Sequence, residues 1–250
     1  MSLSSSFGSA ARAYAEHRPD HAPAAVQWAL EAAPGCRVLD LGAGTGKLTG
    51  TLLGVGAEVT AVEPDPAMLG ELRCALPDVR ALAGSAEDIP LTNRSVDAVL
   101  AGNALHWFNM EVAGPEIARV LAPGGVLAGL WNVLDDRVDW IASLEHVSGP
   151  AVIGPRDTFT SWRAATAELH LPAGGLFVGA SQAEFPHKQR RTADSLVATL
   201  ATRAGVLVLP EPERQSTLDR IRDFLASRTE TTHGEFDLPM LTGVLRVVRA

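Results

Sequence analysis

The 250-residue chain has two cysteines, Cys36 and Cys74. Two are too few for a disulfide framework, and their spacing is not that of a metal knuckle, so no metal site is expected and a reducing, cytoplasmic setting is. No stretch of about 18 apolar residues occurs. Residues 1–9 are a short polar lead without the apolar centre of a signal peptide, so no membrane insertion is expected. Basic charge is also scarce: 21 Lys and Arg against 29 Asp and Glu give a net charge of -8 and a pI near 5.4. The longest basic run is Arg190-Arg191. Nucleic acid and anionic membrane are therefore poor candidates as partners. There are no internal repeats, low-complexity tracts or catalytic serine motifs.

The organising stretch is Val38-Leu39-Asp40-Leu41-Gly42-Ala43-Gly44-Thr45-Gly46, followed by Lys47-Leu48-Thr49. An apolar run that ends in an acid and then three alternate glycines reads as a buried parallel strand meeting a tight turn and a helix. Without side chains at the glycines, the turn can adopt positive φ and a ligand can lie against bare peptide groups. A phosphate-binding Walker loop needs four residues between its first glycine and the Gly-Lys pair, then Ser or Thr. Here three residues separate Gly42 from Gly46, and Leu48 follows Lys47. The dinucleotide fingerprint needs a glycine where Lys47 stands. Length favours one α/β domain with room for an elaboration on the basic sheet.

What remains, D-x-G-x-G-x-G, resembles motif I of the class I S-adenosylmethionine (SAM) methyltransferases. Later strand ends extend the resemblance over roughly residues 7–131. Glu63-Pro64-Asp65-Pro66-Ala67-Met68 resembles the segment where an acid accepts hydrogen bonds from both ribose hydroxyls and the residue at Met68 packs on the adenine. Gly84-Ser85-Ala86-Glu87 resembles the stretch where an acid takes the adenine amino group and the next backbone N–H reaches the ring. Ser85 stands in place of that acid, a neutral and weaker acceptor that Glu87 would assist. Arg119-Val120-Leu121 with Pro123-Gly124-Gly125 is close to the family's R-V-L-x-P-G-G signature.

The resemblance implies a Rossmann-like, doubly wound seven-stranded sheet, mostly parallel with an antiparallel C-terminal strand, under a helical cover. It implies SAM as cofactor, held by Asp40, Gly42, Ala43, Gly44, Gly46, Glu63, Pro64, Met68, Ser85, Ala86, Glu87 and Asn103. The segment Phe7-Gly8 through Tyr14 and Arg18-Pro19 is similar to the family's N-terminal lid. Tyr14 would cover the sulfonium with an aromatic face, and Arg18 would meet the cofactor's carboxylate. Residues 1–34 are then a helical lid, 35–131 the SAM-binding core, and 132–250 the substrate cover with the closing strands of a single domain.

Within the family, Asn103-Ala104-Leu105-His106-Trp107-Phe108 with Trp131-Asn132 most resembles the small-molecule branch related to trans-aconitate and ubiquinone-pathway methyltransferases. It belongs at the carboxyl end of the fourth strand, where open α/β sheets bind ligands. His106 is the candidate general base or acceptor orienter, because its ordinary pKa allows either charge state near neutrality. Trp107 and Trp131 are candidate acceptor contacts. The absence of Asn-Pro-Pro-Tyr argues against amino-methylation of nucleobases or glutamine. The expected reaction is methyl transfer to a small molecule, at a carboxylate or hydroxyl oxygen. Two alternatives stay open: an NAD(P)-dependent oxidoreductase, which would share the turn and Glu63, and a SAM-binding protein without catalysis.

Periodicity predicts helices over 48–53 and 116–121 and strands over 58–62, 79–83, 95–100 and 126–131. Further on it predicts helices over 137–146, 161–169, 193–202 and 211–227 and strands over 185–190 and 241–248. Trp140, Phe159, Trp162, Phe177 and His187 read first as core and second as lining of an apolar acceptor pocket.

Overall fold

The apolar run of the first strand, β1 (Arg37–Leu41), is buried at every position after Arg37, as befits a strand covered on both faces. In the computed structural model, which describes residues 18–154, 156–167 and 175–250, the chain falls into two compact units. Of the described residues, one comprises 20–131, 175–185 and 242–250; the other comprises 18–19, 132–154, 156–167 and 186–241.

The first of these units begins with α1 (Pro23–Leu30) and β1. It continues through α2 (Lys47–Gly54), β2 (Glu58–Glu63), α3 (Pro66–Ala75), β3 (Arg80–Ala83), β4 (Val96–Gly102) and α4 (Met110–Val120). β5 (Leu121–Leu134), β6 (Phe177–Arg191) and β7 (Phe236–Arg249) contribute residues to both units. The seven strands are ordered β3-β2-β1-β4-β5-β7-β6, with one antiparallel C-terminal strand. β1 pairs in parallel with β2 and β4, which brings Asp40 level with Ala61 on one side and Leu100 on the other. The doubly wound, mostly parallel sheet expected from the sequence is therefore the one observed.

Local chemistry accounts for the boundaries. Asp65 caps α3 by accepting from the N–H groups of Ala67 and Met68 at 2.8 and 3.0 Å, and Pro66 follows where no donor is needed. Bidentate bonds from Arg37 to Asp97 at 2.9 and 2.7 Å tie the start of β1 to β4. β5 begins five residues earlier than its apolar run suggests. Leu121 pairs with Val96, and pairing resumes at Ala98 with Val126. The Pro123-Gly124-Gly125 segment, which precedes the strand predicted over 126–131, is thus an irregularity inside the strand, with Gly124 at φ +72°. α3 and a short 3₁₀ turn at Leu105–Trp107 escape the periodicity: α3 is set by its Asp65 cap, and a three-residue turn is too short to show a period. The core of this unit joins Val26 and Ala29 of α1, Leu48 and Leu52 of α2, and the sheet residues Val38, Leu100, Ala128 and Leu130.

The second unit contains α5 (Asp139–Ser148), α6 (Phe159–Ala167), α7 (Ala193–Ala201), α8 (Ala204–Leu207) and α9 (Glu211–Ala226). Its own core includes Trp140, Ile141, Leu144, Leu200, Ile221 and Leu225, with Trp140 edge-on to Phe236 at 5.9 Å. Thr192 and Ser195 form a reciprocal capping box at the start of α7. Lys188 and Arg190 of the edge strand β6 pair with Asp237 and Glu235 at 2.6 and 3.1 Å. These exposed pairs add little stability but place charge on a sheet edge. Trp140 and Trp162 are buried core residues, and the Phe159 ring lies beneath Arg137 at 4.5 Å. Half-buried Phe177 and His187 lie on β6, and burial pushes the His187 imidazole pKa down. Among the described residues no helix is long and apolar enough to cross a membrane.

Candidate functional site

At the carboxyl end of β1 the chain turns through Gly42, Gly44 and Gly46, whose φ angles are +70°, +58° and +88°. All three positions favour glycine, but only one faces open space. A methyl group on Gly42 would meet the Ala104 side chain at 2.9 Å and the Phe108 ring at 3.4 Å, and one on Gly46 would meet Leu72 at 3.1 Å. At Gly44 nothing lies within 4 Å. The N–H groups of Gly42 and Ala43 both donate to the Val62 carbonyl at 2.9 and 3.1 Å, which anchors the turn to the end of β2.

There stands Glu63, 7% exposed. Its carboxylate accepts from the Gly44 N–H at 2.8 Å and from the Asp65 N–H at 2.9 Å. Burial raises its pKa, the two N–H bonds oppose that, and the charge of Asp65 adds to it. Beneath the turn, Asp40 is fully buried and accepts the Thr49 hydroxyl at 2.6 Å. Burial pushes the Asp40 carboxyl up to about 7, with the Thr49 bond opposing and the Glu63 charge adding. Asp40 therefore supports the turn from below. The Oδ1 of Asp40 and the hydroxyl of Thr45, also buried, have no hydrogen-bond partner.

The other strand ends converge on the same place. Gly84 N–H donates to the Glu63 carbonyl at 3.4 Å. That contact brings in half-buried Ser85 and buried Ala86. The Ser85 hydroxyl accepts from the Glu87 N–H at 3.2 Å, and the Glu87 carboxylate accepts from the Asn109 N–H at 3.0 Å. From β4, Asn103 takes a left-handed φ of +53° and donates its N–H to the Leu130 carbonyl at 2.7 Å. Such a backbone is uncommon outside glycine, tolerated by asparagine, and concentrated at functional sites. His106 is half-buried, and its ring centroid lies 4.9 Å from that of Trp107, which is 44% exposed. Trp131, expected against the acceptor, is 2% exposed and donates its indole N–H to His106 Nδ1 at 3.1 Å, so it stands behind His106.

Pro64 is exposed and Met68 is buried on the inner face of α3. Arg18 is half-buried in the other unit. Tyr14 lies outside the described residues. Several supports were not read from the sequence. Arg119 donates to the carbonyls of Ile89 and Leu91 at 2.9 and 2.7 Å while Glu116 accepts the Ile89 N–H, so this pair clamps the segment after Ala86. Their three-residue spacing on a helix is a signal that could have been read. The Thr49 bond to Asp40 and the His21 ring packed over Gly102 left no such signal. Lys47, at the point where a dinucleotide loop needs glycine, pairs with Asp20 at 3.4 Å.

Residues 39–129 match a family model described as a methyltransferase domain. Over 249 residues the chain is 42% identical to a protein of Mycobacterium tuberculosis named only as a methyltransferase, covering 99% of this chain and 97% of that one. The chain belongs to the class I SAM-dependent methyltransferases. A methyltransferase of Schizosaccharomyces pombe is 32% identical over 232 residues, 90% of each chain. A solved structure from Anaeromyxobacter dehalogenans, described as a candidate type II methyltransferase, has a TM-score of 0.65 at 24% identity, covering 93% of this chain and 97% of that one; it shows the shared fold. Membership decides the cofactor between the two that share a glycine turn and a strand-end acid. SAM, rather than a nicotinamide dinucleotide, is the cofactor of this enzyme. The methyltransferase's own residues fit that ligand: open space over Gly44, a carboxylate beside it and the buried Thr45 hydroxyl suit a polar, phosphate-free cofactor.

Proposed function

We propose that this methyltransferase transfers the methyl group of SAM to an oxygen, carboxylate or hydroxyl, of a small-molecule acceptor. The observation that carries the reading is the contact of Ala104 and Phe108 with Gly42. These residues flank the Leu105–Trp107 turn, so His106 and the exposed Trp107 are held beside the glycine turn. When bound, SAM supplies a methyl carbon made electrophilic by the adjoining sulfonium. Glu63 would accept the ribose hydroxyls; Met68, Ser85, Ala86 and Glu87 would border the adenine; Asn103 would meet the amino-acid end. Trp107 offers an apolar face to the acceptor and His106 a polar edge. An oxygen acceptor suits this set because an ionised oxygen needs position and desolvation more than a strong base. The Glu63 and Glu87 carboxylates are already bonded to backbone N–H groups. The composition of the Asn103-to-Phe108 segment supports the small-molecule branch.

The test is incubation of the purified protein with methyl-labelled SAM and a panel of carboxylates, phenols and amines. Label should appear in a carboxylate or phenol product, and from a methyl ester it should be released as methanol by alkali. Label recovered on nitrogen or carbon overturns the oxygen assignment.

A further inference from the structure

Resting on that reading of the site, which sets the Glu87 main chain beside the adenine, we infer that the Glu87 carboxylate serves the acceptor side. It is a positioning residue that fixes the segment carrying His106 and Trp107 through the backbone of Asn109. The Asn109 N–H donates to Glu87 Oε1 at 3.0 Å, across 22 positions of sequence. Asn109 is the N-cap of α4, and its own side chain makes no capping bond. In a capping box the N–H of the N-cap residue is taken by a Glu or Gln three residues on. Here that position holds Val112, 47% exposed and unable to accept. Glu87 supplies the missing half of the box from the segment that follows β3.

The cap bears on the site because of what it ends. Residues 103–109 lead from the carboxyl end of β4 into α4, with Leu105, His106 and Trp107 in the 3₁₀ turn between. The start of this segment is tied down by the Asn103 N–H, which donates to the Leu130 carbonyl at 2.7 Å. Ala104 and Phe108 lie against Gly42 on either side of the turn. The Glu87 bond fixes the far end. There the Asn109 carbonyl also accepts from Val112 and Ala113 at 2.9 and 2.7 Å, so both peptide groups of the N-cap residue are paired.

Glu87 is held in turn, its N–H donating to the Ser85 hydroxyl at 3.2 Å. The segment beside the adenine and the turn beside the acceptor are thus joined through one side chain. Glu111 already puts a negative charge in the first turn of α4. What Glu87 adds there is a directed acceptor more than a charge, and glutamine keeps that acceptor. Without it the first turn of α4 frays, and the residues before it lose their fixed place.

The experiment compares Glu87→Ala and Glu87→Gln with the native full chain. In ¹⁵N-labelled protein, the Asn109 amide should exchange with solvent about fivefold faster in Glu87→Ala and return toward the native rate in Glu87→Gln. Calorimetry with S-adenosylhomocysteine should give affinities within about threefold of native for both variants. With the acceptor that the panel of carboxylates, phenols and amines identifies, Glu87→Ala should raise the acceptor KM about tenfold while the SAM KM stays near native. Glu87→Gln should recover most of that loss. An Asn109 amide unmoved in Glu87→Ala would remove the cap. A homocysteine-analogue affinity lowered about tenfold or more would make the carboxylate an adenine ligand, and acceptor and SAM KM rising together would reduce Glu87 to a structural cap; each overturns the inference. The amide and calorimetric results need no acceptor, so they stand or fall apart from the oxygen reading, which is lost if label appears on nitrogen or carbon.

Discussion

Replacing Asp40 with asparagine tests whether the carboxyl beneath the glycine turn is held against its own charge. Asp40 is 0% exposed, and burial pushes its carboxyl from 3.8 to about 7. A carboxyl with a raised folded pKa binds its proton more tightly in the folded state. Its contribution is therefore fully present below the unfolded value of 3.8 and is lost as pH rises through about 7. A difference of about 3 units corresponds to about 4 kcal/mol, of which about 2–3 kcal/mol falls between about pH 5 and pH 8. Asparagine cannot ionise and still accepts the Thr49 hydroxyl. Its amide nitrogen would occupy a buried position where Oδ1 has no partner, at a cost on the order of 1–3 kcal/mol. That cost is the same at every pH and cancels from the comparison. Urea unfolding of both proteins should show Asp40→Asn gaining about 2–3 kcal/mol on the native protein between about pH 5 and pH 8. A stability gap that does not change with pH would refute the argument.

Glu63→Gln should weaken SAM binding about 10- to 100-fold by calorimetry, since a charged acceptor becomes a neutral one; unchanged affinity would remove Glu63 from the cofactor site. Gly44→Ala places a methyl where nothing lies within 4 Å, at φ +58°, so it should cost about 1–2 kcal/mol in stability but more than about tenfold in SAM affinity. Gly50→Ala, exposed within α2, should raise stability by roughly 1 kcal/mol and leave binding alone. Arg119→Ala should lower stability by about 1–3 kcal/mol and weaken SAM binding through the freed segment that follows Ala86. Arg119→Lys should not restore it, because an ammonium cannot fork between two carbonyls; thermal melts with and without SAM would decide.

The strand-to-helix turn at Gly42 to Gly46, the acid ending β2 and the order of the strand ends were legible in the sequence. Each depends on residues close together in the chain: an apolar run for a strand buried on both faces, glycines where φ must be positive, an acid at a strand end. Through the family resemblance that these motifs carry, the sheet type was expected from the sequence, whereas the choice of SAM over a nicotinamide dinucleotide was settled by membership of the family. The extents of β5, β6 and β7 did not, because pairing between distant segments lengthens strands past their apolar runs and absorbs Pro123 and both following glycines into β5. Long-range contact also decided what individual side chains do. Trp131 reads as one more aromatic available to an acceptor until β5 lies beside β4 and its indole N–H meets His106 Nδ1. Asp40 reads as a motif acid until burial and Thr49 make it an internal support. Conformational preference is written residue by residue, whereas hydrogen-bond direction and burial exist only once segments far apart in the chain are packed together.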